Sequence, residues 1–100
     1  MPTRGIPEEF EVIEIPSNGS ASFEIRRNII GFEIYEPTGI HTIRWDMNEV
    51  PSDANGHTVP PNQRGGLSQI FNPKDATIYV TSETNAPVNV EIRKLLGGSI

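Results

Sequence analysis

No cysteine occurs anywhere in the 100 residues. That absence excludes disulfides, thiolate metal sites and cysteine nucleophiles, and it leaves the redox compartment unconstrained. Basic charge is scarce as well: eight Lys and Arg stand against thirteen Asp and Glu, a formal net charge of −5. Nucleic acids and anionic membranes both select basic surfaces, so neither is expected as a partner. Long apolar runs are missing. None approaches the roughly 20 residues of a membrane-spanning helix, and the opening MPTRGIPEEF has no signal-peptide apolar region. The expected product is cytosolic, or one that leaves the cell by a signal-independent route such as incorporation into a particle. Leu and Ala are few beside Ile and Val, a vocabulary that suits strands. Charged residues make up only 21% and are evenly spread, which argues against a disordered chain.

What is present is alternation. Nine Pro and nine Gly break the chain into short pieces and exclude long helices. Ala76, Ile78 and Val80 alternate with Thr77, Tyr79 and Thr81, and Val88, Val90 and Ile92 alternate with Asn89, Glu91 and Arg93. Period two in β-branched residues marks a strand with one buried face. The spacing predicts a hairpin over 73–94, with Val80 opposite Val90 and Ile78 opposite Ile92. Upstream, residues 9–15 start with Phe10 and Val12 on one face and then shift to Ile13 and Ile15, the mark of a β-bulge or a strand changing sheets. Ser17-Asn18-Gly19-Ser20 is a hairpin-type turn. Residues 20–27 turn Ala21, Phe23 and Ile25 inward; 29–36 turn Ile30, Phe32 and Ile34 inward; 40–47 put His41, Ile43, Trp45 and Met47 on one side. Residues 48–66 read as a long irregular loop with three prolines and three glycines, and 67–72 as a short strand. About seven short strands are expected, forming an antiparallel β-sandwich of jelly-roll or immunoglobulin-like type, with a small barrel as the alternative. The divisions are an extended N-terminal arm over 1–8, a single domain over 9–96 and a tail over 97–100.

Chemistry-bearing patterns are sparse. His41 and His57 lack any HxH or HExxH spacing and any serine in a nucleophile-elbow context, and read as a strand-end and a loop residue. Asp46, Glu49 and Asp53, with Asn48 and Asn55, hold oxygens suited to calcium but lack the spacing of a calcium loop, so no metal is expected. Arg64-Gly65-Gly66 is a single RGG in an acidic chain, not an RNA-binding tract. Glu8 and Glu9 are neighbours that a strand sends to opposite faces, so they make no catalytic pair. No catalytic residue and no cofactor is expected. Trp45 shares the phase of Ile43 and reads as core, while Tyr35 and Tyr79 fall on outward phases and, with Ile29, could share an exposed patch.

Size, all-β composition, the long Pro/Gly loop and the extended ends together resemble the small virion proteins of tailed bacteriophages, such as capsid decoration, cement or appendage proteins. The resemblance covers the whole chain at the level of architecture and carries no specific motif. It implies a non-enzymatic assembly protein of the virion, made in the host cytoplasm. Its partners would be protein subunits, including copies of itself, clasped by the arm and the long loop. The contact residues this singles out are Ile6 in the arm, Val59 and Arg64 in the loop, and Tyr35 and Tyr79 on the strands. The competing expectation is a carbohydrate- or receptor-binding sandwich with an aromatic platform, whose best residue is Trp45 if that side chain is exposed.

Overall fold

A computed structural model describes residues 8–52, 55–70 and 74–97. Within them the alternating segments form eight strands: β1 (Glu8–Ile15), β2 (Ser20–Ile25), β3 (Ile29–Tyr35), β4 (Ile43–Met47), β5 (His57–Val59), β6 (Arg64–Leu67), β7 (Ala76–Ser82) and β8 (Val88–Leu96). They divide into two four-stranded sheets, ordered β1-β8-β3-β6 and β2-β7-β4-β5. The pairing is nested: β1 with β8, β2 with β7, β3 with β6 and β4 with β5, all antiparallel. The first half of the chain thus runs against the second half along its length, like one long hairpin folded over into two layers. Pairings of β3 with β8 and β4 with β7 join successive turns of this ribbon. An antiparallel sandwich results, and its strand order is that of a jelly roll. Among the described residues no helix is long and apolar enough to cross a membrane.

The core lies between the sheets. Ile15, Ile34, Val90 and Ile92 come from the first sheet and Ile43, Ile78 and Val80 from the second, all fully buried. Phe32 sits at the centre, edge-on to Trp45 at 5.1 Å and to Phe23 at 5.6 Å between ring centroids. Trp45 is 3% exposed, so it is core, as its phase predicts.

The hairpin expected over 73–94 does not form. β7 and β8 belong to different sheets, and Val80 pairs with Ala21 and Trp45 while Val90 pairs with Ile13. The alternation is as read, but both apolar rows satisfy it by facing each other across the core instead of lying side by side. The Asn18-Gly19 turn likewise joins β1 to β2 across the two sheets. The 48–66 segment is not structureless: it holds β5 and most of β6, and β4–β5 is a hairpin within one sheet. Of the strand expected over 67–72 only Leu67 is in a strand, as the last residue of β6; residues 68–70 are not, and 71–72 lie outside the described residues. β1 carries no bulge; its register with β8 is continuous from Glu8↔Leu95 to Ile15↔Val88. The irregularity is in β3 instead, between Ile29 and Gly31, which turns Ile29 inward and leaves Ile30 exposed, the reverse of the expected phase. Glu8 already belongs to β1, and the rest of the expected arm, residues 1–7, lies outside the described residues.

Candidate interaction surface

Ile40 and Val50 are exposed singly in the β3–β4 and β4–β5 connections, whereas on the outer face of the β1-β8-β3-β6 sheet exposed apolar groups gather beside charges. Because the β1–β8 register is unbroken, the even residues of β1 point away from the core. Phe10 is 53% exposed and Val12 56% exposed. Register places Phe10 beside Arg93 and Glu33 in one row, and Val12 beside Glu91, Tyr35 and Arg64 in the next. The guanidinium of Arg93 lies 5.9 Å from the Phe10 ring centre and that of Arg64 lies 4.5 Å from Tyr35. Arg64 also pairs with Glu33 at 2.9 Å, and Arg93 with Glu8 at 3.4 Å. These exposed pairs contribute little to stability. They place apolar area and paired charge side by side on one surface. Such a mixture of aromatic, Arg and aliphatic groups is characteristic of protein interfaces.

The singled-out residues separate. Tyr35 and Arg64 come together on this face, stacked on one another. Tyr79 lies on the other sheet, beside Ser22 and Asp46, so it shares no patch with Tyr35. Ile29, the third member of that expected patch, is 2% exposed. Val59 is buried at 2% exposure against Gly65, and its role is core. Ile6 lies outside the described residues. Phe10 and Val12 are the residues that sequence reading missed as surface. The signal was there: an apolar set that moves from even to odd positions means either a bulge or a second, outward apolar row. Alternation by itself does not choose between them.

The remaining candidates are tied into the fold. His57 stacks on Trp45 at 4.2 Å, and the backbone amide of His41 donates to Glu36. Asn48 accepts the Thr77 amide, and Asn55 accepts from Ser52 while donating to Glu49. Asp53 lies outside the described residues. Among the described residues no three His, Cys, Asp or Glu side chains gather as a metal site.

Glu36 is a buried acid, 4% exposed, at the end of β3. Its carboxylate accepts from the Thr38 amide and hydroxyl and from the amides of Ile40 and His41. Burial raises its pKa, but these hydrogen bonds outweigh burial and hold the carboxyl below its ordinary value. A lowered folded-state pKa means stability that is fully present above the unfolded value of about 4.3 and lost as pH falls through the folded value. Glu36→Gln is therefore expected to cost about 1–3 kcal/mol at neutral pH, since it leaves loop amides without a full acceptor. The cost should shrink in acid, as pH falls through the lowered folded-state value and the wild-type carboxyl itself protonates. Urea midpoints at neutral pH and in acid check this; equal losses at both would show that the carboxylate charge is not what the loop uses.

No protein-family model matches the sequence, and no curated protein matches it. Among solved structures, the chain is similar to a de novo designed double-stranded β-helix solved by solution NMR. The TM-score is 0.57 and the identity 10%, with 88% of this chain and 97% of the designed one covered. That likeness concerns the fold, and it agrees with the nested pairing of the two chain halves.

Proposed function

We propose that the protein is a non-enzymatic assembly module that docks on protein subunits, copies of itself among them, as small virion proteins do. The observation that carries this reading is the pair Phe10 and Val12, adjacent outward side chains on an edge strand, each more than half exposed. Leaving such groups half in water forgoes roughly 1 kcal/mol per side chain that a partner surface would recover. Tyr35, stacked by Arg64, extends the same face toward β6. With Trp45 buried, a carbohydrate-binding reading is without its best residue.

The test is sedimentation velocity on the full chain and on the double variant Phe10→Ser/Val12→Ser. The wild type is expected to sediment as an oligomer and the variant as a monomer, with its unfolding free energy within about 0.5 kcal/mol of wild type. A wild type that is monomeric at all concentrations, or a variant of unchanged mass, would remove the face from consideration.

A further inference from the structure

The β1 and β2 strands form the edges of the two sheets on the same flank of the sandwich. They are joined by the turn at Pro16–Gly19, closed by a Gly19 to Pro16 backbone hydrogen bond. Away from that turn they border a cleft of about 740 Å³, whose polar lining includes Glu9 and Glu11 from β1, Ser22 and Glu24 from β2, and Arg26 and Lys94. The volume is in the range of ligand sites, but the lining is more polar than a small-molecule pocket. β1 pairs only with β8 and β2 only with β7 among the described residues. Each therefore presents a row of backbone amides and carbonyls, a template for an added strand.

Charge decides what kind of strand. β1, EEFEVIEI, has four glutamates and no base. Glu8 is engaged by Arg93, and Glu11 by Lys94 at 3.6 Å. Lys94 is itself 8% exposed, its stem closing the end of the core and its amine 5.6 Å from the Phe23 ring. Glu9, Glu14 and Glu24 have no ion-pair partner among the described residues. Two copies of β1 laid edge to edge would gather twice four glutamates and no base, and like charges across a strand pair repel. A basic strand instead meets three acids, Glu9, Glu11 and Glu24, against two bases, Arg26 and Lys94, on the cleft.

We propose that the cleft takes an extended segment of a partner protein as an added strand on β1, with Lys or Arg side chains directed at Glu9 and Glu24. This rests on the reading of the protein as an interaction module and names a second kind of partner for it, at the edge of the sheet instead of its face. Backbone hydrogen bonds to the β1 edge provide the attachment and the free carboxylates provide the selection. Arg26, on the same cleft, is placed to meet a carbonyl or an acid of the incoming chain.

The experiment is an NMR titration of the isotope-labelled full chain with capped octapeptides. One alternates lysine with valine, a second replaces lysine by aspartate, and a third is the lysine peptide N-methylated at alternate residues. The lysine peptide is expected to shift the amide signals of β1 and β2 and to bind at least about tenfold more tightly than the aspartate peptide at low salt. The gap should narrow as ionic strength rises. N-methylation should abolish the binding, and Glu9→Lys/Glu24→Lys should reverse the preference between the two charged peptides. Equal affinities, shifts confined to other strands, full binding of the N-methylated peptide or no binding at all would each overturn the proposal. If the peptides fail while Phe10→Ser/Val12→Ser still dissociates the oligomer, the edge is excluded and the face reading stands. If the lysine peptide binds while that variant keeps the wild-type oligomer mass, the face is excluded and the edge stands.

Discussion

Ile78→Asp is expected to abolish the cooperative unfolding transition. Ile78 is fully buried at the centre of β7, flanked in register by Phe23 on β2 and Met47 on β4. Removing the isoleucine forfeits about 1.5–3 kcal/mol of apolar burial. The carboxylate that replaces it has no cation near enough on its own sheet, because its strand neighbours there are Phe23 and Met47. Desolvating an unpaired charge costs several kcal/mol more. Together these consume most or all of the 5–15 kcal/mol by which a small domain is stable. The expected readout is a Trp45 fluorescence and near-ultraviolet dichroism signal that is already unfolded in buffer. Ile78→Val, which keeps the shape and removes one methylene, should cost only about 0.5–1.5 kcal/mol and melt cooperatively. An aspartate variant that melts like wild type would mean the β7 face is not in the core.

Gly66→Ala is the second large effect, expected to cost about 2–4 kcal/mol and to lower the melting temperature by roughly 10–30 °C. Two causes add. Gly66 has φ +112°, a backbone conformation that side-chain-bearing residues rarely adopt. A Cβ built there would lie 2.3 Å from the Phe32 carbonyl oxygen on the neighbouring strand β3. That atom is backbone, so it cannot swing aside as a side chain would. The neighbouring Gly65 gives a contrast: a Cβ there would meet Val59 Cγ2 at 2.1 Å, a side-chain atom, although one locked in the core. The loss from Gly66→Ala should be read from urea denaturation at constant slope. A variant within about 0.5 kcal/mol of wild type would show that β6 does not pack on β3 as described. The RGG tripeptide thus has a structural reason: Arg64 reaches Tyr35 and Glu33 on the outer face, while both glycines allow β6 to close against β3 and β5.

The sequence by itself determined the class of fold and most of the inward faces. Phe23, Ile25, Phe32, Ile34, Ile43, Trp45, Ile78, Val80, Val90 and Ile92 all read as core from alternation, and all are buried. This works because side-chain direction in a strand has period two and needs no knowledge of neighbours. Only the tertiary structure decided which strands pair. Ile78 and Val80 face Val90 and Ile92 across the sandwich or beside them in one sheet with identical sequence patterns, since burial parity is the same in both. β5 and β6 escaped notice because three or four residues are too few to display a period, and because glycine in β6 stands where close packing forbids a side chain. The same ambiguity hid the candidate surface. Phe10 and Val12 are apolar like the core rows, and what makes them outward is the unbroken β1–β8 register, a property of two strands about 80 residues apart in the chain. The free acids Glu9 and Glu24 are likewise visible in the sequence, but they border one cleft only because β1 and β2 end up as the edges of two different sheets.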